Sequence, residues 1–341
     1  MKEKQTALPY KSVVDELKAR VFKPIYLLMG EETYFIDQLS DYLQNHILDD
    51  AERSFNQILF YGKDADVLNI INSARRYPMM AAHNVVIIKE AQTLKGIEQL
   101  SHYTEKPLAS TILVIAYKYK SLDKRTLLYK SIVKNGLVFE SNKIYDDQVP
   151  AWIDKYLKSK GYSIEPNASM LLLEFLGNDL SKIAMELDKL LITLPSGSKK
   201  ITPESIETNI GISKEYNNFE LQKALVQRNP EKAFRIAYYF GDNQKSSPFV
   251  LTIASMYYFF TKLIAFHAVR DADRNTQAAA LKINPYFLND YVQGYKAYPL
   301  LKSLKIISIL REYDLKSKGI NNVSSSMGDL LKEMIFRILY A

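Results

Sequence analysis

The segment after the first apolar run has the position of a phosphate-binding loop but lacks its residues. Ile25–Met29 is followed by Gly30, Glu31, Glu32 and Thr33. A phosphate loop needs further glycines, so that backbone N–H groups can approach the phosphates, and then a Lys and a Ser or Thr. Here only the first Gly is present, and two carboxylates stand where phosphates would lie. The sequence therefore predicts a degenerate, non-functional phosphate loop.

Residue types typical of other catalytic sites are absent or scattered. Cysteine is absent, which excludes disulfides, Cys-ligated metal sites and a thiol nucleophile. The apolar run that ends at Lys89-Glu90 has no Asp positioned for magnesium. There is no G-x-S-x-G segment, and the four histidines have no metal-binding spacing: His46, His83, His102 and His267. We therefore predict no catalytic residues, no metal site and no cofactor bound by this chain.

Two pairs of carboxylates are better explained by helix ends than by chemistry. Asp49-Asp50 and Asp146-Asp147 both fall where a helix is expected to begin or end. Asp is favoured at the first position of a helix, because its oxygen accepts a hydrogen bond from an exposed backbone N–H. A cap or a solvated loop is the favoured interpretation.

Positive charge is concentrated in the last third of the chain. The 341 residues carry a net charge of +7, with 47% hydrophobic and 24% charged residues, as is typical of a folded protein. The net charge is +2 for residues 1–140, −2 for 141–215 and +7 for 216–341. At roughly 150 residues per domain, the length indicates two to three domains.

Residues 25–140 have the pattern of a parallel sheet, with short apolar runs separated by longer amphipathic stretches. The predicted strands are Ile25–Met29, Ile58–Tyr61, Val85–Lys89, Ile112–Ala116 and Leu137–Phe139. The predicted helices between them are Tyr34–His46, Ala65–Arg76, Ile97–Tyr103 and Lys124–Lys134. This pattern indicates an α/β domain of the nucleotide-binding type.

After Glu140 the pattern becomes helical, so the predicted fold class is α/β followed by all-α. Up to residue 212 the predicted helices are Gln148–Lys158, Pro166–Leu176 and Leu180–Leu191. Beyond that point they are Phe219–Arg228, Pro230–Phe240, Pro248–Arg270, Thr276–Leu281, Pro285–Lys296, Leu300–Lys318 and Met327–Leu339. Gly, Pro and Asn stand at the breaks between them.

One helix is long enough to span a bilayer. Pro248 to Val269 is 22 residues long, with Lys262 as its only charged side chain. Polar residues interrupt the stretch and no Lys- or Arg-rich flank marks a cytoplasmic end, which favours a buried helix. No apolar stretch follows Met1, so we expect no secretory signal and a cytoplasmic location.

Six local strings occur in a characteristic order over essentially the whole chain. They are Pro24–Ile36; Leu122–Thr126 with Leu128–Lys130; Trp152-Ile153; Asn178–Leu180 with Glu186–Leu190; Phe219–Leu221 with Ala224-Leu225; and Asp314–Gly319. Their order and spacing resemble the delta-subunit family of the bacterial DNA polymerase III clamp loader.

The resemblance implies a three-domain protein of the AAA+ type. Its parts would be an AAA+-like α/β domain that binds the clamp (1–140), a three-helix lid (141–212) and a helical collar for oligomerisation (213–341). It also implies a non-catalytic subunit of the DNA polymerase III holoenzyme that binds and opens the sliding clamp. The implied partners are the clamp (beta subunit), the ATPase subunits (gamma/tau), which bind the ATP, the delta-prime subunit, and primed DNA through the complex, with no membrane.

The resemblance also implies where the clamp would bind. In the family a pair of large apolar residues is exposed before the third strand, and Met79 and Met80 align with that pair, beside Tyr77 and Pro78. Neighbouring residues on a helix point about 100° apart, so two adjacent methionines beside a Pro are hard to bury together. Met also adapts well to a partner's apolar pocket. The alternative is that one Met packs under the sheet and the other is incidental.

Two groups of basic residues are candidates for DNA or subunit contacts. The spacing along one predicted collar helix allows a shared basic stripe, which DNA or a ring partner could use: Lys302, Lys305, Arg311, Lys316 and Lys318. For the second group, in the sheet domain, a solvated face or a subunit contact is favoured over phosphate binding: Lys118, Lys120, Lys124, Arg125 and Lys130.

Two other functions stay open at this point. An active AAA+ ATPase with an atypical phosphate loop would remodel nucleic acid or protein, and it would bind ATP itself. A helical adaptor without a role at DNA would neither co-purify with a clamp nor bind primed DNA in a salt-dependent way.

Overall fold

The computed structural model describes residues 8–195, 197–210, 215–245, 247–322 and 324–341. The chain divides into two compact units after Ile144, close to the predicted end of the sheet domain at residue 140. The predicted boundary between lid and collar, at residues 212–213, lies outside the described residues. The division into three domains therefore stays a prediction.

The first unit is built on a five-stranded parallel sheet, and the predicted strands are confirmed. They are β1 (Ile25–Gly30), β2 (Gln57–Tyr61), β3 (Asn84–Lys89), β4 (Thr111–Lys118) and β5 (Leu137–Ser141). Their order is β2-β3-β4-β1-β5. Strands β1, β3 and β4 are buried along almost their whole length, which explains their continuous apolar runs.

Helices cover both faces of this sheet. They are α1 (Tyr10–Lys18), α2 (Thr33–His46), α3 (Asp50–Asn56), α4 (Val67–Ala74), α5 (Ser101–Thr104) and α6 (Leu127–Asn135). Side chains of α1 and α2 pack on one face, and those of α4, α5 and α6 pack on the other. Helices α1 and α3 were not predicted. The predicted helix Ile97–Tyr103 is a 3₁₀ turn, Ile97–Leu100, that leads into the short α5.

The first half of the second unit combines helices with a small sheet. Its elements are α7 (Val149–Ser159), β6 (Ser163–Ile164), α8 (Pro166–Leu176), α9 (Leu180–Thr193), β7 (Lys200–Ile201) and α10 (Pro203–Ile210). The three predicted helices are confirmed. The expectation of helices alone was wrong here, because β6 and β7 form a parallel pair. Strands of two residues are too short to show a two-residue alternation in the sequence.

The rest of the second unit is helical, as predicted. Its helices are α11 (Asn218–Val226), α12 (Pro230–Asp242), α13 (Phe249–Val269), α14 (Arg274–Leu281), α15 (Leu288–Ala297), α16 (Leu300–Ser317) and α17 (Met327–Leu339). The predicted helix Pro285–Lys296 begins instead with a 3₁₀ turn, Pro285–Phe287. A single core joins these helices, with large aromatic side chains at its centre: Phe240, Phe260, Tyr298 and Tyr313.

Helix α13 is the described helix whose length and composition would let it cross a membrane. One face of it packs into the core that joins helices α11 to α17, through residues that include Phe249, Met256, Phe260 and Leu263. This burial agrees with the interpretation of a core helix.

Candidate functional site

The turn where a phosphate loop would lie contains only two residues. β1 ends at Gly30 and α2 begins at Thr33, so Glu31 and Glu32 alone connect them. A carboxylate oxygen of Glu32 accepts a hydrogen bond of 3.1 Å from the backbone N–H of Tyr34. A helix N-terminus in this position is where phosphate-binding folds hold the anion. Here a side-chain carboxylate of the protein takes that position.

The backbone of this turn is used by the sheet itself. The N–H of Gly30 donates to the carbonyl of Lys120, and the N–H of Glu31 donates to the carbonyl of Ser141, each at 3.2 Å. Gly30 has a φ of 130°, and a Cβ there would lie 2.0 Å from the Ser141 oxygen. The N–H groups of Gly30 and Glu31 are therefore already bonded, and β5 closes the space beside Gly30.

Internal ion pairs fill the adjoining edge of the sheet. At the end of β4, the Lys118 ammonium lies 2.8 Å from carboxylate oxygens of both Asp37 and Glu90. At the end of β3, Lys89 pairs with Asp41 at 2.9 Å. Burial lowers the pKa of Lys118, but its hydrogen bonds to the two carboxylates outweigh this and raise the pKa overall. The two ammonium groups at this edge are therefore paired with carboxylates of the same unit.

The described residues include no group of three or more His, Asp or Glu side chains placed to hold a metal ion. Around Gly30, the N–H groups of Gly30 and Glu31 are bonded within the sheet, and the Glu32 carboxylate caps α2. The absence of a bound nucleotide or cofactor stays a prediction.

An exposed loop between α4 and β3 contains the residues predicted to bind the clamp. Met80 is fully exposed, at 102% of its reference area, and Met79 is 58% exposed. Tyr77 is also exposed, while Pro78 is half-buried. The alternative of a Met packed under the sheet is therefore wrong. The predicted reason for the exposure is also wrong, because these residues lie in a loop rather than on a helix.

A buried side chain from α3 fixes the middle of this loop. Asn56 is 1% exposed. Its Oδ1 accepts a hydrogen bond of 2.6 Å from the N–H of Met79, and its Nδ2 donates to the Met79 carbonyl at 2.9 Å. The backbone of Met79 is thus held at both polar groups by one side chain. Asn56 could not be predicted from the sequence, because a single Asn at the end of a short polar helix carries no distinctive pattern.

The start of the loop is anchored as well. Asn84 donates a hydrogen bond to the carbonyl of Ser73, and Thr111 donates one to the carbonyl of Ala74, each at 2.9 Å. These carbonyls lie in the last turn of α4, where the helix supplies no donor four residues further on. Met80 has a φ of 54°, in the left-handed region that a residue with a side chain rarely adopts. The loop therefore presents its apolar side chains on a fixed backbone.

The five basic residues of the collar do not form one stripe. Lys316 pairs with Glu312 at 3.0 Å, and Lys318 pairs with Asp314 at 2.7 Å. Arg311 follows Lys302 by nine positions, which places the two side chains about 180° apart around α16. Lys302, Lys305 and Arg311 are exposed and form no ion pair in the described part of the chain. The prediction of a shared stripe was wrong, whereas contact with DNA or a subunit stays a prediction for each residue.

The basic residues of the sheet domain are largely paired too. Lys124 contacts Glu140 at 2.7 Å. Arg125 binds both carboxylate oxygens of Asp123, and its hydrogen bonds lower the pKa of that carboxyl group to about 2. Such internal pairing agrees with a solvated face or a subunit contact.

Part of the chain matches a known family, and two curated proteins are similar to it. Residues 26–142 match the model of the DNA polymerase III delta subunit. The DNA polymerase III subunit delta of Bacillus subtilis (strain 168) is 23% identical over 280 residues, which are 79% of this chain and 80% of that protein. This chain is similar to the DNA polymerase III delta-subunit family. The probable DNA polymerase III subunit delta of Aquifex aeolicus (strain VF5) is 27% identical over 108 residues, 31% of either chain.

The fold of the delta family extends along the chain. The solved structure of the Bacillus subtilis DNA clamp loader delta protein covers 98% of this chain and 100% of its own, with a TM-score of 0.53 and 20% identity. The resemblance and the fold class predicted from the sequence are thereby confirmed.

Proposed function

We propose that this protein is a clamp-loader delta subunit, which binds the sliding clamp through the loop at Tyr77–Met80 and opens the clamp for loading onto primed DNA. The observation that carries the proposal is an exposed pair of methionines on a backbone fixed by Asn56. Two unbranched thioether side chains can fill an irregular apolar pocket. A fixed backbone lowers the entropy that is lost on binding.

In this proposal the subunit does mechanical work and catalyses no reaction. Burying each methionine in the clamp would contribute about 1.5–3 kcal/mol. The ATPase subunits (gamma/tau) and delta-prime would reposition this subunit when ATP binds to the complex, and the grip at Met79 and Met80 would transmit the movement to the clamp. DNA synthesis would belong to another subunit of the holoenzyme, and we expect the protein in the cytoplasm.

The closed phosphate-loop region supports the absence of a nucleotide from this subunit. Glu32 occupies the N-terminus of α2, and the N–H groups of Gly30 and Glu31 are bonded within the sheet. Bringing a triphosphate there would place like charges together and break these hydrogen bonds. The isolated chain should therefore show no ATP binding by calorimetry, and micromolar affinity would instead favour an active ATPase.

The clamp contact is tested by the double substitution Met79→Ala, Met80→Ala. Loss of two apolar anchors should weaken the affinity for the cognate clamp by at least about 100-fold. Thermal unfolding should change little, because both side chains are exposed. Met185→Ala, at a similarly exposed Met in α9, is the matched control and should bind like the wild type. Unchanged clamp affinity of the double variant would contradict the proposal.

A further inference from the structure

Helix α3 presents a large aromatic side chain to solvent, immediately before the residue that fixes the loop. Phe55 is 67% exposed. Single exposed apolar residues are common on protein surfaces and need no explanation of their own. The position of Phe55 is what distinguishes it, because the next residue is Asn56, whose side chain holds the backbone of Met79.

The distance between Phe55 and the loop is limited by this connection. Adjacent Cα atoms are about 3.8 Å apart, and an Asn side chain extends its Oδ1 roughly 3.6 Å from its Cα. With the 2.6 Å hydrogen bond to the Met79 N–H, the Cα atoms of Phe55 and Met79 lie within about 12 Å of each other. A specific interface covers about 800 Å² on each partner, or a patch roughly 30 Å across. Both residues fit on one such patch.

Helix α3 is as firmly held as the loop. Asp49 and Glu52 form reciprocal hydrogen bonds with each other's backbone N–H groups at the start of the helix, at 2.8 and 3.1 Å. Arg53 donates to the carbonyls of Asn45 and Leu48, at 3.0 and 3.3 Å. An aromatic side chain on such a rigid element loses little conformational freedom on binding, and aromatic residues are enriched among the residues that dominate interfaces.

We propose that α3 and the loop form one composite surface, in which Phe55 is a second apolar contact to the sliding clamp. The proposal rests on the proposed function, since it takes the clamp to be the partner that covers Met79 and Met80. Asn56 is the positioning residue, because its hydrogen bonds to Met79 hold the loop in a fixed position beside α3. The part of the clamp facing α3 would then be apolar.

The test measures the affinity of the full chain for its cognate clamp by surface plasmon resonance. Phe55→Ala should weaken binding about tenfold, and Phe55→Glu by more, because it places a charge in an apolar contact. Phe55→Leu should retain most of the affinity. Phe336→Ala, at a comparably exposed Phe in α17, is the matched control and should leave clamp affinity unchanged. Circular dichroism melting curves identify any variant whose fold has changed.

The outcomes separate this inference from the proposed function. If the Met79→Ala, Met80→Ala variant loses binding while Phe55→Ala and Phe55→Glu both bind like Phe336→Ala, the composite surface is wrong and the proposed function stands. If the methionine variant itself binds like the wild type, both are overturned. A parallel loss in both sets of variants, with Phe55→Leu close to wild type, supports the composite surface.

Discussion

The carboxylate of Glu174, in α8, accepts a hydrogen bond of 2.7 Å from the backbone N–H of Asn218, the first residue of α11. The first N–H groups of a helix have no acceptor within the helix, and a negative charge is favoured there. Glu174 therefore caps a helix from another part of the second unit. Its other oxygen is buried and has no hydrogen-bond partner among the described residues.

This cap predicts a dependence of stability on pH. Burial raises the pKa of Glu174 from 4.5 to about 7, against the opposing effect of the Asn218 hydrogen bond. A raised folded pKa means that the contribution of this group to stability is fully present below pH 4.5 and is lost as the pH rises through 7. Glu174→Gln keeps the acceptor without the charge. The variant should be more stable than the wild type by about 2 kcal/mol at pH 8.

Urea unfolding at pH 5 and pH 8 measures this effect, and the gain should be much smaller at pH 5. Glu231→Gln removes a charge at an exposed Glu and controls for net charge. An equal effect of Glu174→Gln at both pH values would contradict the assignment.

The two hydrogen bonds between Asn56 and the backbone of Met79 predict that one substitution lowers both stability and clamp affinity. Asn56→Ala removes both hydrogen bonds to Met79 and leaves a cavity, so the free energy of unfolding should fall by about 1–3 kcal/mol. Clamp affinity should fall as well, since the loop backbone is no longer fixed. Asn56→Asp keeps the acceptor but places a buried carboxylate oxygen against the carbonyls of Met79 and Glu52, so its loss of stability should be at least as large. Full clamp affinity in a folded Asn56→Ala variant would show that binding does not depend on the hydrogen bonds between Asn56 and Met79.

The left-handed backbone of Met80 predicts that a glycine there raises stability and lowers clamp affinity. A left-handed conformation costs a residue with a side chain about 1–2 kcal/mol, and glycine avoids this cost while losing more entropy on folding. Met80→Gly should therefore be about 0.5–1 kcal/mol more stable by chemical denaturation. It should also bind the clamp more weakly than the wild type, because the apolar contact is gone. A loss of stability would mean that the Met80 side chain supports the fold.

The close approach of β1 and β5 predicts that Gly30 tolerates no side chain. Gly30→Ala would place a Cβ 2.0 Å from the carbonyl oxygen of Ser141, and backbone would have to move. We expect a loss of about 3 kcal/mol or more, measured by thermal or urea unfolding. Gly161→Ala is the matched control, because Gly161 also has a positive φ but has no atom within 4 Å of the added Cβ. It should cost only about 1 kcal/mol. Equal losses of stability in the two variants would show that the positive φ, rather than the contact with Ser141, determines the cost at Gly30.

The strands of the first unit could be predicted from the sequence because each is a buried apolar run between breaks, such as Val85–Lys89 within β3. Helix α3 could not, because its seven residues are mostly polar and the capping box at Asp49 and Glu52 defines its start. The exposed methionines were located through a family resemblance. Their fixed backbone depends on Asn56, 23 residues away in sequence, and no local pattern reports such a contact.

The exposure of Met80 also has a chemical consequence. It is the most exposed of the described methionines, whereas Met29, Met256 and Met334 are buried. An oxidant such as hydrogen peroxide converts an accessible thioether to a polar sulfoxide. Oxidative stress would thus reach the tip of this loop before the cores, and a methionine sulfoxide reductase could reverse the damage. The protein would stay folded, but the polar sulfoxide at Met80 would weaken the apolar contacts proposed for this loop.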